Sequence, residues 1–137
     1  MRTVLLILGL TCVCLSADWQ VLYEPHAINE PTIYIDSSSI ALLSNGNIRA
    51  WLKWNYIAGS KDAQVAVSDV QYVEINVIEK MMTIIVCTRY YIGRPSYTET
   101  ERGTGEWDYI VPDTIGEQVF SGICAFFFAK RIKTGRG

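Results

Sequence analysis

From Asn47 to Ile57 the chain alternates apolar and polar residues, and this stretch does most to limit what it can fold into. Ile48, Ala50, Leu52, Trp54 and Tyr56 hold the even positions, with Arg49, Lys53 and Asn55 on the odd ones. Successive side chains of a strand point to opposite faces, so a period of two describes a strand with one face on a core and the other toward water. Trp51 breaks the pattern on the odd face. It reads either as an aromatic covered by a loop or partner strand, or as an exposed contact residue. The strand follows Ser44-Asn45-Gly46-Asn47, whose Asn-Gly pair accepts positive φ cheaply and marks a turn.

The remaining chain reads as further short strands and then one helix. Asp18–Glu24, ended by Pro25, and the alternating, β-branched Thr32–Asp36 precede the turn Ser37-Ser38-Ser39. Val70–Ile78 and Met82–Ile92 flank Glu79-Lys80-Met81 as a hairpin. Its second arm is apolar on both faces near its middle, which suits a central strand covered on both sides. Gly93 to Gly105 reads as a polar loop, long for a compact domain. Trp107 to Val111 reads as a short last strand stopped by Pro112. Thr114-Ile115-Gly116-Glu117 has the form of a capping box, in which the hydroxyl takes an orphan N–H and the carboxylate reaches back. Ile115, Val119 and Ile123 then recur at helical spacing, widened by Phe120, Cys124 and Phe127. Lys130, Arg131 and Lys133 fall where cations complement the helix dipole. Their alternative role is contact with anionic polysaccharide or lipid headgroups.

Residues 1–17 read as a secretory signal. Arg2 precedes an apolar run, and Ser16 and Ala17 close it. The run is about 12 residues, short of the roughly 20 that a membrane span requires. Cleavage is expected near Ala17–Asp18, leaving residues 18–137 as a single domain by length and no transmembrane segment. Thr11 before Cys12 and Val13 before Cys14 do not suit lipid attachment. Twelve Lys and Arg against fourteen Asp and Glu give a net charge of −2. There is no basic excess to neutralise phosphates, so nucleic acid is not an expected partner.

Of four cysteines, Cys87 and Cys124 lie outside the leader. An even count in an exported chain suggests one Cys87–Cys124 disulfide, worth roughly 3–4 kcal/mol in the chain-entropy model. Two buried free thiols are the alternative. Little in the sequence offers catalysis. Proton relays of the Ser-His-Asp or Cys-His type need a histidine, and His26, the one present, sits in a loop beside Pro25. There is no spaced His/Cys set for a metal, and Gly103-Thr104-Gly105 lacks the later glycine and lysine of a phosphate loop. Glu99, Glu101, Glu106 and Asp108 cluster in sequence on and beside a polar segment, where carboxylates stay solvated. The expectation is a non-enzymatic protein with no cofactor and no metal.

The order of several segments resembles the surface-adhesin protein E family of Gram-negative bacteria. Trp19 follows the leader. Tyr34-Ile35-Asp36-Ser37-Ser38-Ser39-Ile40 comes next, then Asn47-Ile48-Arg49-Ala50-Trp51, and Asn55-Tyr56 closes that strand. Gly103-Thr104-Gly105-Glu106 precedes Trp107, and Ile110-Val111-Pro112-Asp113-Thr114-Ile115-Gly116-Glu117 leads to a helix carrying Cys124. The chain departs from the family at Asn76-Val77, where relatives carry an Asp-Cys pair, and that cysteine partners the one in the helix. Residues after Cys124 run past the end of the family pattern. The resemblance implies an α+β fold: an antiparallel sheet of about six strands with one C-terminal α-helix packed on it.

It also implies an exported protein, at the outer cell surface or in the periplasm, that binds host extracellular-matrix or plasma proteins. A periplasmic structural or accessory protein with no host ligand is the alternative, and a hydrolase inhibitor a third class. Candidate contact residues are Trp51, Arg94, Tyr97 and Arg102. An exposed sheet edge also makes a homodimer an expectation.

Overall fold

Ile33, Ile35, Ala50, Leu52, Val73 and Ile75 are completely shielded from water, and all six lie on one side of a sheet. The computed structural model describes residues 16–56, 65–93 and 96–135. Residues 1–15 of the expected leader, and Arg94, lie outside the described residues. Eight strands are paired antiparallel throughout: β1 (Trp19–Tyr23), β2 (Thr32–Asp36), β3 (Ala41–Leu42), β4 (Ile48–Asn55), β5 (Val65–Asn76), β6 (Met81–Ile92), β7 (Tyr97–Arg102) and β8 (Asp108–Tyr109). The sheet runs β1-β2-β4-β5-β6-β7. β3 pairs with the end of β4 that β2 leaves free, and β8 does the same on β6.

The period-two stretch forms β4, as expected. Ile48, Ala50 and Leu52 face the core while Arg49, Trp51 and Lys53 face the other way. Gly46 before it has φ +88°, a conformation glycine adopts at no steric cost. The β5–β6 hairpin turns through residues 77–80, with Lys80 in the left-handed region at φ 51°. The Asn76 side-chain oxygen accepts the N–H groups of Ile78 and Glu79 and so organises the turn.

One helix, α1 (Ile115–Thr134), packs on the core face through Val119, Phe120, Ile123 and Phe127. Each fully buried aliphatic contributes about 1.5–3 kcal/mol. Thr114 caps α1 by accepting the Glu117 N–H. Glu117 reaches back one residue further than expected, to the Asp113 N–H at 2.8 Å. At the other end Lys130 Nζ donates to the carbonyls of Ser37 and Ile40 at 3.3 and 3.4 Å, which ties the helix to the turn after β2.

Three expectations fail. Residues 93–105 are not one loop, because Tyr97–Arg102 pair with β6 as the edge strand β7. Its residues are polar because an edge strand beyond the helix has no core to face. Nor is β6 covered on both sides: Ile84 is 37% exposed. Finally, Cys87 and Cys124 are both free. Cys124 rides on α1, whereas β6 adds only Met82 to the packing around the core. Cys87 is five residues along β6 from Met82, roughly 17 Å at strand rise.

Candidate interaction surface

Among the described residues no α-helix covers the face of the sheet opposite α1, and the aromatic residues there are ordered by the strand register. The odd positions of β4 supply Arg49, Trp51 and Lys53 in a line. Trp51 lies opposite Tyr72 on β5, with the rings stacked at 4.8 Å and 23°. Such pairs add about 0.5–1.5 kcal/mol beyond burial. Lys53 lies opposite Tyr34 on β2. Its ammonium sits 4.8 Å from the Trp19 ring centre and 5.2 Å from that of Tyr34, within cation–π range. Arg49 pairs with Glu74 at 3.3 Å and lies 5.9 Å from the Tyr72 ring centre. The result is a row of four half-buried aromatics held by two cations on three rigid strands and the β1 edge.

The register extends this row. Tyr72 pairs with Val86 on β6, and Val86 pairs with Arg102 on β7. Directly paired residues point to the same side. Trp51 and Arg102, singled out separately in the sequence, therefore share one cross-strand row. Tyr97 does not join them. It stacks on Tyr91 at 4.6 Å, and Tyr91 donates to Glu99 at 3.0 Å. That pair is on the same side of β6 as Arg89, the face that α1 covers elsewhere. Sequence reading missed Trp19, Tyr34, Lys53 and Tyr72 as members of the surface. The signal for Lys53 was its place two residues from Trp51; the others needed the register.

Beyond the helix, the core face turns polar. Asp69, only 1% exposed, accepts from Arg89 Nε at 2.9 Å and Nη2 at 3.2 Å, and from the Tyr56 hydroxyl at 3.0 Å. Burial, with the Asp69 charge beside it, pushes the Tyr56 phenol up to about 12. The hydrogen bond to Asp69 raises Arg89 further above its already high value. Cys87 lies in the next row, and burial pushes its thiol up, as it does that of Cys124. A raised thiol is a poor nucleophile at neutral pH. A shallow concavity of about 300 Å³ opens here, bordered by Gln71, Thr83, Arg89, Glu101 and Gly103. His26 stacks edge-on against Tyr23 at 5.7 Å. Among the described residues, no three His, Cys, Asp or Glu side chains gather closely enough to hold a metal ion. No helix among them is long and apolar enough to cross a membrane.

The aromatic and cationic side chains of this face pair with one another and stay half-buried, an arrangement suited to recognition. Residues 19–125 match the family model of surface-adhesin protein E. No curated protein and no solved structure matches the chain.

Proposed function

This chain belongs to the surface-adhesin protein E family, and from that premise we propose that it is exported and acts at the cell envelope by binding a protein, with a host matrix or plasma protein as the ligand class. The observation that carries the reading is the rigid aromatic row Trp19, Tyr34, Trp51 and Tyr72, braced by Lys53 and Arg49 on the helix-free face. Tryptophan, tyrosine and arginine dominate the energetics of protein interfaces because they bury much area at small entropic cost. Here the cross-strand contacts hold their rotamers before any ligand arrives, which lowers the ordering cost of binding.

The export half of the proposal rests on the leader, with cleavage after Ala17. Shaving intact expressing cells with protease tests it. Loss of the protein while a periplasmic marker survives supports surface display. Survival of both until the outer membrane is opened sinks the host-ligand reading and leaves an envelope-internal accessory protein. On shaved-positive cells, adhesion to immobilised matrix and plasma proteins is measured against a Trp51→Ala, Tyr72→Ala double variant. An interface centred on these rings loses binding by on the order of tenfold or more. Undiminished binding with the fold intact moves the interface elsewhere.

A further inference from the structure

The C-terminal half of α1 turns an apolar strip toward solvent. Gln118, Ser121, Ala125, Phe128, Ala129 and Ile132 are all exposed. They recur every three or four residues, so they share the helix face opposite Val119, Ile123 and Phe127. The strip is polar in the first turns and apolar from Ala125 onward. Phe128 is 55% exposed and Ile132 63%. A surface helix keeps this face polar when water is all it meets.

The charges say what else it meets. Glu117 is the last acidic residue of the chain, and Lys130, Arg131, Lys133 and Arg136 follow it in a protein whose net charge is −2. Lys130 is occupied within the fold by the Ser37 and Ile40 carbonyls. Arg131 and Lys133 flank the apolar strip and are exposed. A second copy of this helix half would set cations against cations with no carboxylate between them. A polysaccharide offers anions but no apolar phase for Phe128 and Ile132. An anionic bilayer surface supplies both, with headgroups for the cations and the acyl boundary for the rings and branched chains. The family match covers residues 19–125, so Phe128, Ile132 and the cations beside them lie outside it.

We propose that residues 125–133 of α1 dock the protein peripherally on an anionic lipid bilayer. The helix lies in the interfacial plane, with Phe128 and Ile132 at the headgroup–acyl boundary and Arg131 and Lys133 against lipid phosphates. The test is co-sedimentation of the full protein with phosphatidylcholine vesicles, with and without phosphatidylglycerol. The protein is taken in its exported form, starting at Asp18, so that the apolar run of the leader contributes nothing to sedimentation. Expected is binding that needs phosphatidylglycerol and weakens with salt. It falls by on the order of tenfold in Phe128→Ser, Ile132→Ser and, separately, in Arg131→Gln, Lys133→Gln, with melting temperature held. The second pair alters exposed cations and serves if the first fails to fold. Equal sedimentation of wild type and both variants overturns the proposal. So does binding indifferent to phosphatidylglycerol, or retention on heparin resin without vesicle binding. A change from dimer to monomer in Phe128→Ser, Ile132→Ser, with vesicle binding unaltered, overturns it in favour of self-association.

Discussion

Replacing Arg89 with methionine isolates a buried carboxylate, and the cost follows from the geometry. Asp69 is 1% exposed and holds two contacts from Arg89, at 2.9 and 3.2 Å, and one from Tyr56 at 3.0 Å. Arg89→Met leaves the Tyr56 hydroxyl alone to satisfy the charge. Removing one partner of a buried ion pair costs about 3–5 kcal/mol. The Arg89 side chain is 47% exposed, so water enters where the guanidinium stood, and screening lowers the figure to about 2–3 kcal/mol. Asp69→Asn is cheaper, about 1 kcal/mol. It keeps a side-chain acceptor and strands only a guanidinium that water already reaches. In the Asp69→Asn background, Arg89→Met then costs little, and the double-mutant cycle returns a coupling of about 1.5–2 kcal/mol. Urea unfolding followed by tryptophan fluorescence measures all four corners. If Arg89→Met costs less than about 1 kcal/mol, or no more than Asp69→Asn, then Arg89 does not compensate the buried charge and the reasoning fails.

The Tyr56 phenol is raised in the fold, so its contribution to stability is full below the unfolded value near 10 and is lost as pH rises through about 12. Ultraviolet titration of the phenolates shows a step near 12 that shrinks by one tyrosine in Tyr56→Phe. Gly103→Ala destabilises by about 3 kcal/mol in thermal unfolding, because its Cβ would stand 1.6 Å from the Ile84 carbonyl oxygen, a backbone atom that cannot step aside. Gly122→Ala stays within about 1 kcal/mol of wild type. Its Cβ meets only the Leu22 side chain, 2.6 Å from Cδ1 and 3.0 Å from Cγ, and alanine's helix preference offsets the shift. Mass mapping after alkylation of unfolded, unreduced protein labels both Cys87 and Cys124; a mass two hydrogens lower linking the pair refutes the free-thiol structure. N-terminal sequencing of the exported protein begins at Asp18. The new ammonium then replaces the Asp18 N–H that donates to Asp36 Oδ1 at 2.9 Å, and a form carrying extra residues before Asp18 melts lower.

What the sequence determined by itself is whatever depends on local periodicity and local hydrogen bonding. The alternation at 48–55 defines β4 and its buried face, because a slip of one residue would turn Leu52 outward and Lys53 inward. Thr114 and Glu117 start α1, because a cap needs only neighbours in the chain. The family resemblance rests on segments spread from Trp19 to Cys124 and on their order. The tertiary structure alone decided everything that depends on position across the sheet. Residues 97–102 resemble a loop by their polarity, yet β7 is polar because it lies at an edge past the helix. The apolar middle of β6 suits a doubly covered strand, but α1 rests elsewhere on the sheet and leaves Ile84 partly exposed. Trp51 looked anomalous until the register set it on Tyr72, and Arg102 entered the same row only through two further strands. Pairing of this kind joins residues tens of positions apart, and no local pattern encodes which strand will lie beside which. The physical divide is therefore between interactions that close within a turn or a strand and those that require the whole sheet to assemble first.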